Sequence, residues 1–591
     1  MRLIVFLVSM PAFAINYPAL PRAEVDVTCC PVVTRTVPAH TAAQFQAALS
    51  KAQLGDNIVL DAGVTYVGNF IVSVPTGTAG WVTVTSSAAA SLPSPGTRVG
   101  PSDAIHMARI MSPASGGART MPALRNDGNA PNLSDLGVHH YRFIGIEFAT
   151  GLTGTNYHVI WLSPINLSGQ YSSSSQPHDI IFDRCLIHGN DPTTAFPDGT
   201  AYDNGGIQFD VANSAIVDSA VYNFWGNGIE TQAISCGGGP GPRLLQNNLV
   251  SGGTEGWMCG GSQLPLPDQI PTDITIVHNY FTVPIAWRTS TPVVPLIKNR
   301  FELKVGQRVR ITDNVFENSW DRGGGQSGYA ITLTPRPWGG SNNGAVPWLL
   351  ANIVVDDVVL AHNVARGVGG FLSAGFYDNY CTSNSAACTP SARLLVSDNL
   401  ADYDEAIFAA AGMLFSSMQD FSVKRNTFLG HNTRGGSTGR PATWGSRTGD
   451  CTSPFGTNFE FSYNIVLNGV MADCDYSPAG ILVASWRGTD TVTSNLVANV
   501  VHPILETWQS FGHASSIAPT EASIGLASDE LTLNKTSRYF GKGIGADLSC
   551  FNEAAIRAGT PSALCPLPPE SAMTPPRTVT PPARRPSAGG R

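Results

Sequence analysis

The stretch ITIVHNYF (274–281) and its echo VRITDNVF (309–316) decide the fold. Apolar residues alternate at Ile274 and Ile276, and at Val309 and Ile311; an Asn follows, then two largely apolar residues. Alternation with period two marks strands, not helices. The phrase recurs as LLQNNLV at Asn248, VVLAHNVA at Asn363, LLVSDNLA at Asn399, FSVKRNTF at Asn426, FEFSYNIV at Asn464 and TVTSNLV at Asn495. Successive Asn residues lie 31, 35, 49, 36, 27, 38 and 31 positions apart. IIFDRCLI near Arg184 and AIVDSAVY near Ser219 keep the pattern without the Asn. A period of about 20–50 residues announces a solenoid or a propeller.

Three short β-runs per repeat, as in SAIVDS, AVYNFW and GIETQA, favour a β-helix. Propeller blades hold four longer and more regular strands. The Asn at a fixed place is expected to ladder, its amide bonding the same residue one coil above and below. Such a residue also tolerates left-handed backbone geometry in a tight bend. Upstream, AAQFQAALSKA (42–52) reads as a short amphipathic helix with Phe45, Leu49 and Ala52 on one face, placed to cover the open edge of the first coil.

The stretch FQAALSKAQLGDNIVLDAGVTY (45–66) resembles the opening of secreted right-handed parallel β-helix proteins of the pectate-lyase-like superfamily. The resemblance runs from Thr41 to about Gly545 and implies an all-β right-handed solenoid of about eleven or more coils with a capping helix. The expected organisation is a signal peptide at 1–14, an extension at 15–40, the β-helix at 41–548, a C-terminal cap segment at 549–565 and a Pro-rich disordered tail at 566–591. This superfold hosts many activities, so the resemblance says little about function.

Composition sets the compartment and excludes several classes. The 591 residues include 42% hydrophobic and only 13% charged, which rules out disorder and a long coiled coil. A net charge of −8, with no long basic cluster, excludes nucleic acid as an expected partner. Arg2, the apolar run Leu3–Val8 and the Ala12-Phe13-Ala14 site read as a secretory signal, and no segment is long enough to span a membrane. Eleven cysteines fit an oxidising compartment. Cys236 with Cys259, Cys381 with Cys388, Cys451 with Cys474, and Cys550 with Cys565 are close enough to pair, while Cys29-Cys30 adjoin and Cys185 stands alone. His139-His140 and the other histidines show no ligand spacing along the chain.

Chemistry is expected on the strand preceding the long turn of each coil: GIQFDV (206–211), GIETQA (228–233), EGWMCGG (255–261), KNRFELK (298–304) and YAITLTPR (329–336). Strict alternation turns Ile207, Phe209, Ile229, Phe301, Leu303, Ile331 and Leu333 inward. It turns Gln208, Asp210, Glu230, Gln232, Arg300, Glu302, Lys304 and Arg336 outward. Glu255 precedes the third strand, and Glu317 and Gln326 lie near the following turn. At about 4.8 Å per coil, five coils give a strip roughly 20 Å long, suited to a few sugar units. Trp225, Trp257, Trp287, Trp320, Trp338 and Trp348 lie near this strip, where flat sugar faces could stack on them.

On this fold the resemblance implies uronate β-elimination with Ca²⁺ held by acidic residues and an Arg or Lys as base. Asp210, Glu230 and Glu302 are the candidate metal ligands, and Lys304 or Arg336 the base. Gln208, Gln232, Glu255, Arg300, Gln326 and Trp257 are the candidate substrate-binding set. Hydrolysis would instead use two carboxyls, Glu230 with Asp210 or Glu255. A third reading is a surface protein that binds saccharide without cutting it. The Trp-x-Asp-His and Arg-x-Pro-x-x-Arg signatures of pectate lyases and the polygalacturonase motifs are missing. The candidate site therefore rests on alternation and clustering.

Overall fold

Eight asparagines, Asn248, Asn279, Asn314, Asn363, Asn399, Asn426, Asn464 and Asn495, form one fully buried column in the computed structural model of the chain. Each Nδ2 from Asn248 to Asn464 donates to the next Oδ1 at 2.9–3.0 Å. The same residue's backbone amide joins that oxygen, as from Asn279 N to Asn314 Oδ1 at 2.9 Å. Ser219 and Cys185 continue the column where the phrase lacks Asn, since Ser219 Oγ accepts from Cys185 N at 2.9 Å. The left-handed residue of the bend is the one before the Asn: Asn247, His278, Asp313, His362, Asp398 and Arg425 have φ of 52–59°. The Asn supplies the ladder, and its neighbour makes the turn.

The structure describes residues 15–28, 32–113, 122–126, 137–151, 158–164, 175–191, 205–261, 269–290, 295–320, 328–336, 353–375, 391–403, 413–415, 418–430, 457–467, 490–493, 495–498, 516–518, 524–527, 533–569 and 577–578. Among them, three long all-parallel sheets build a right-handed parallel β-helix. Sheet A has 14 strands, from Arg35–Ala39 to Asp490–Thr493; sheet B has 14, from Thr65–Val67 to Ser516–Ala518; sheet C has 10, from Phe70–Val72 to Met413–Phe415. Each coil runs C, A, ladder bend, B and back to C, as in Glu255–Cys259, Thr272–Val277, Tyr280–Thr282 and Asn299–Leu303. Like residues stack between coils: Phe143 lies on Phe182 and Phe281 on Phe316, with centroids 5.1 and 5.0 Å apart. Inward-facing Cys236 and Cys259 are in register on adjacent coils and are disulfide-bonded.

The helix Ala42–Ser50 starts at Thr41, whose hydroxyl accepts from Gln44 N. It buries Phe45 and Leu49 beside Phe70 and Tyr66 of the first coil. Among the described residues no helix is long and apolar enough to cross a membrane.

Both termini run back along the outside of the solenoid. Sheet A carries a second left-handed column at Asp273, Arg308, Asp357, Arg393 and Asp420, with φ of 53–58°. Arg308 grips Asp273 and Arg393 grips Asp357 with two bonds each, at 2.6–2.9 Å. Onto the alternate Asp residues the N-terminal segment docks: Asn16 N on Asp420 at 3.1 Å, Ala19 N on Asp357 at 2.9 Å and Arg22 N on Asp273 at 2.8 Å. Pro18 and Pro21 separate these donors. Three residues of extended, Pro-rich chain advance about 9–10 Å. Two coils advance about the same distance, so the strap and the solenoid share a period. Asp357→Ala is therefore expected to loosen the strap and speed trypsin cleavage after Arg22, as followed by limited proteolysis and mass spectrometry.

The C-terminal segment packs on the flank, where the helix Glu553–Ala558 pairs Arg557 with Glu317 at 2.7 Å and Glu553 with Arg366 at 3.2 Å. The Cys550–Cys565 disulfide closes it. Leu567, expected in a disordered tail, instead packs with Leu20, Val359 and Ala361. Residues 1–14, the Cys29-Cys30 pair and Cys381, Cys388, Cys451 and Cys474 lie outside the described residues. Cys185 is a buried free thiol whose burial pushes its pKa up to about 12.

Candidate functional site

The strip strands are successive members of sheet C: Gly205–Phe209, Gln232–Cys236, Glu255–Cys259, Asn299–Leu303 and Tyr329–Leu333. Their alternation is broken once per strand. Ala233 and Ile234 both belong to the core, as do Ala330 and Ile331, and Phe371 and Leu372 of the next strand. The register passes over the first member of each pair. Two consecutive residues thus face inward, and Gly256 and Arg300 occupy the same irregular position. A Cβ on Gly256 would meet the Arg300 carbonyl oxygen at 2.6 Å, so this coil needs glycine there.

This break corrects the strict alternation. Arg300, expected to face substrate, is fully buried and reaches back to the carbonyls of Thr254 and Gly253 at 3.1 and 3.3 Å. Burial pulls its pKa down to about 9 against the pull of Glu255. Residues ahead of the break, Gln232, Glu255 and Asn299, share an outward column. Residues behind it, Gln208, Ser235, Met258, Glu302 and Thr332, share a second.

Lys298, which alternation along the chain did not single out, joins the two columns. Its ammonium lies 3.0 Å from Glu255 Oε1, 3.2 Å from Glu302 Oε2 and 3.5 Å from Glu230 Oε1. Gln232 Nε2 donates to the other Glu255 oxygen at 2.9 Å, and Asn299 Nδ2 donates to Glu302 at 3.2 Å. Lys304 stands 3.5 Å from Glu302 Oε1 and 3.2 Å from Met258 Sδ. Glu255, Glu302 and Lys298 are buried, whereas the Glu230 side chain is 49% exposed. The two buried carboxyls are driven apart. Burial raises Glu255 above the usual carboxylate range, with Lys298 opposing. Burial also acts on Glu302, but Lys298 and Lys304 outweigh it and hold the group low. Lys298 is held above its ordinary range because its three carboxylates outweigh burial.

Other expected site residues lie elsewhere. Asp210 Oδ1 accepts from Gly237 N at 2.6 Å and Oδ2 from Gln208 Nε2 at 2.9 Å, an arrangement that secures a turn. Its neighbour Phe209 is three strands from Leu303 in sheet C, or about 14 Å. The expected calcium set therefore does not fit: Asp210 is remote, and Glu230 and Glu302 converge on an ammonium. Gln208 also accepts from Ser235 Oγ at 2.8 Å, and Ser235 lies 3.3 Å from buried His158 Nε2. Burial lowers the His158 pKa to about 4. The segment expected as a strand at 228–233 begins instead at Gln232, and Ile229, expected inward, is exposed. Arg336 is exposed, its amide bonded to the Lys304 carbonyl at 3.0 Å.

The aromatic surface is corrected as well. Trp257 is core, 4.5 Å from Phe301 between ring centroids. Trp225, Trp287 and Trp320 are buried together with Val283 and Ile297. Glu317 lies on sheet B and is paired with Arg557 of the C-terminal helix, while Gln326, Trp338 and Trp348 fall outside the described residues.

No family model matches the chain, and no curated protein matches it. Among solved structures it is similar to an alginate lyase from Paenibacillus at 13% identity and a TM-score of 0.38, covering 64% of this chain and 100% of that one. It is similar to a pectate lyase at 12% identity and a TM-score of 0.33, covering 62% and 80% respectively. Similarity to the Dettilon tailspike protein is 12% identity and a TM-score of 0.29, covering 81% and 64%.

Proposed function

We propose that this chain is an exported carbohydrate-active enzyme that cleaves a uronate-containing polysaccharide by β-elimination, centred on Lys298, Glu255 and Glu302. The observation that carries this reading is the buried charge cluster itself. Burying such groups costs several kcal/mol each, and an apolar core of equal volume is often as stable or more so. Buried carboxyls pushed in opposite directions are a signature of functional sites.

The exposed Glu230 is the longest of the three contacts to Lys298. A uronate carboxylate takes its place on the ammonium, and neutralising that carboxylate acidifies the C5 proton. Lys298 then shields Glu302 less, and Glu302 becomes the stronger base. Glu302 takes the C5 proton, the electrons form the C4–C5 double bond, and the C4–O4 bond breaks. Glu255, whose protonated form burial favours, enters the step as the acid and gives its proton to the departing oxygen. Lys298 thus supplies the positive charge for which calcium was expected.

Hydrolysis is the second reading, supported by carboxyl spacing. Contacts of 3.0 and 3.2 Å to one nitrogen place the Glu255 and Glu302 oxygens no more than about 6 Å apart. That upper bound admits the retaining range of about 5–5.5 Å and stops short of the inverting range of about 6.5–9.5 Å.

The test incubates the purified protein with a panel of uronate and neutral polysaccharides, with and without chelator. Ultraviolet absorbance reports the unsaturated product, and a reducing-end assay reports any cut. The expected result is absorbance and reducing ends rising together with chelator present, and a fall of at least about 100-fold in Glu255→Gln and Glu302→Gln. Reducing ends alone mean hydrolysis. Binding without either signal overturns the enzymatic reading and leaves a saccharide-docking surface.

A further inference from the structure

Histidines that show no ligand spacing along the chain are brought together across coils of sheet A. His139 and His140 open the strand His139–Ile144, His178 opens the next, His178–Asp183, and His139 pairs with His178 in register. Their rings stack with centroids 4.9 Å apart. His140 and Asp179 both adopt left-handed backbone, with φ of 57° and 56°. His140 Nδ1 lies 3.8 Å from Asp179 Oδ2 and 3.0 Å from His139 Nδ1, while His178 Nδ1 lies 2.5 Å from the same Asp179 oxygen.

One ligand atom from each of His140, His178 and Asp179 falls within 4.8 Å of the other two. Ligand atoms of a tetrahedral zinc centre stand about 3.4 Å apart, so small side-chain rotations bring these three onto one ion. The surroundings support the same reading. Asp179 is buried and its other oxygen accepts from Asn213 Nδ2, the kind of outer bond that orients a ligating carboxylate. Trp81 packs on the His140 ring at 5.1 Å, and the 41% exposed His178 side chain leaves a way in.

We infer that His140, His178 and Asp179, with His139 adjoining, bind a divalent transition ion of the zinc class. The ion adds a tie between two successive coils already joined by sheet pairing and by the Arg142–Asp183 ion pair. Among the described residues, the other grouping of this kind, His362 with Cys550 and Cys565, holds a disulfide in place of thiolates.

The test strips the full chain with chelator, then titrates ZnCl₂ by calorimetry and follows thermal unfolding with and without zinc. The expected result is one equivalent bound and a raised midpoint. His178→Gln should weaken that binding at least tenfold and abolish the zinc-dependent shift. Asn213→Gly, which suits the left-handed backbone there, should weaken it about tenfold while leaving the zinc-free midpoint close to the parent's. No zinc binding by the parent, or equal binding by parent and His178→Gln, overturns the inference. Calorimetry reads the ion directly, so the result stands whether or not any polysaccharide is cleaved.

Discussion

Lys298→Met is expected to destabilise the protein by about 3–5 kcal/mol at neutral pH, because it strands buried carboxylates without their cation. Lys298 is the contact common to Glu230, Glu255 and Glu302, and its side chain is 6% exposed. Lys304 remains near Glu302 at 3.5 Å but does not replace the 3.0 Å contact to Glu255. The pH dependence has a definite sign. In the parent, Glu302 is held low, so its contribution is present above the unfolded carboxyl value of about 4.3 and is lost as pH falls through the folded value. Glu255 is held high, so it opposes folding at neutral pH and ceases to do so as it protonates. In the variant both carboxyls behave like Glu255. The gap between parent and variant should be widest near pH 7 and narrow as pH falls towards 4, in paired urea titrations. A pH-independent gap would mean that the loss comes from packing of the lysine stem. A Glu255→Gln, Lys298→Met double variant should recover part of the loss, since one stranded charge is gone.

The contrast between what could and could not be read beforehand follows from how a solenoid is held. The three-sheet architecture was legible because strand alternation and the Asn interval are both written along the chain. The strip was legible as a place, since sheet C and the residues flanking its strands bring Glu230, Glu255, Glu302 and Lys304 close together. Individual residues were less so. One inward pair per strand shifts the alternation, burying Arg300 and aligning Glu255 with Gln232 and Asn299. Trp257 lies in the core and not on the surface expected for it; an aromatic at a strand centre reads alike in core and cleft. Lys298 could have been found by asking which cation neutralises a column containing Glu255 and Glu302. The histidine group could not be found by spacing, because the interval from His140 to His178 is the length of one coil.

Asn314→Ala should cost about 3–5 kcal/mol, since it removes both halves of a ladder rung inside the solenoid. The Asn314 side chain donates to Ile276 O, Thr312 O and Asn363 Oδ1 at 2.9–3.0 Å. Its oxygen accepts from the Asn279 backbone amide and from Asn279 Nδ2 at 2.9 and 3.0 Å. Truncation leaves these partners buried beyond the reach of water, and each orphaned group costs about 1–3 kcal/mol. The chain supplies its own control for size. Ser219 occupies a ladder position, donating to Val217 O at 2.7 Å and accepting from Cys185 N at 2.9 Å. Asn314→Ser keeps one donor and one acceptor in that manner and should recover roughly half of the loss. Asn314→Asp keeps the acceptor but removes the donors and buries a charge, so it should be as harmful as Ala at pH 7 and less so under acid. Urea midpoints for the three variants give the order directly. Equal losses for Ser and Ala would assign the ladder's contribution to side-chain packing, because hydrogen bonding alone predicts that the hydroxyl recovers stability.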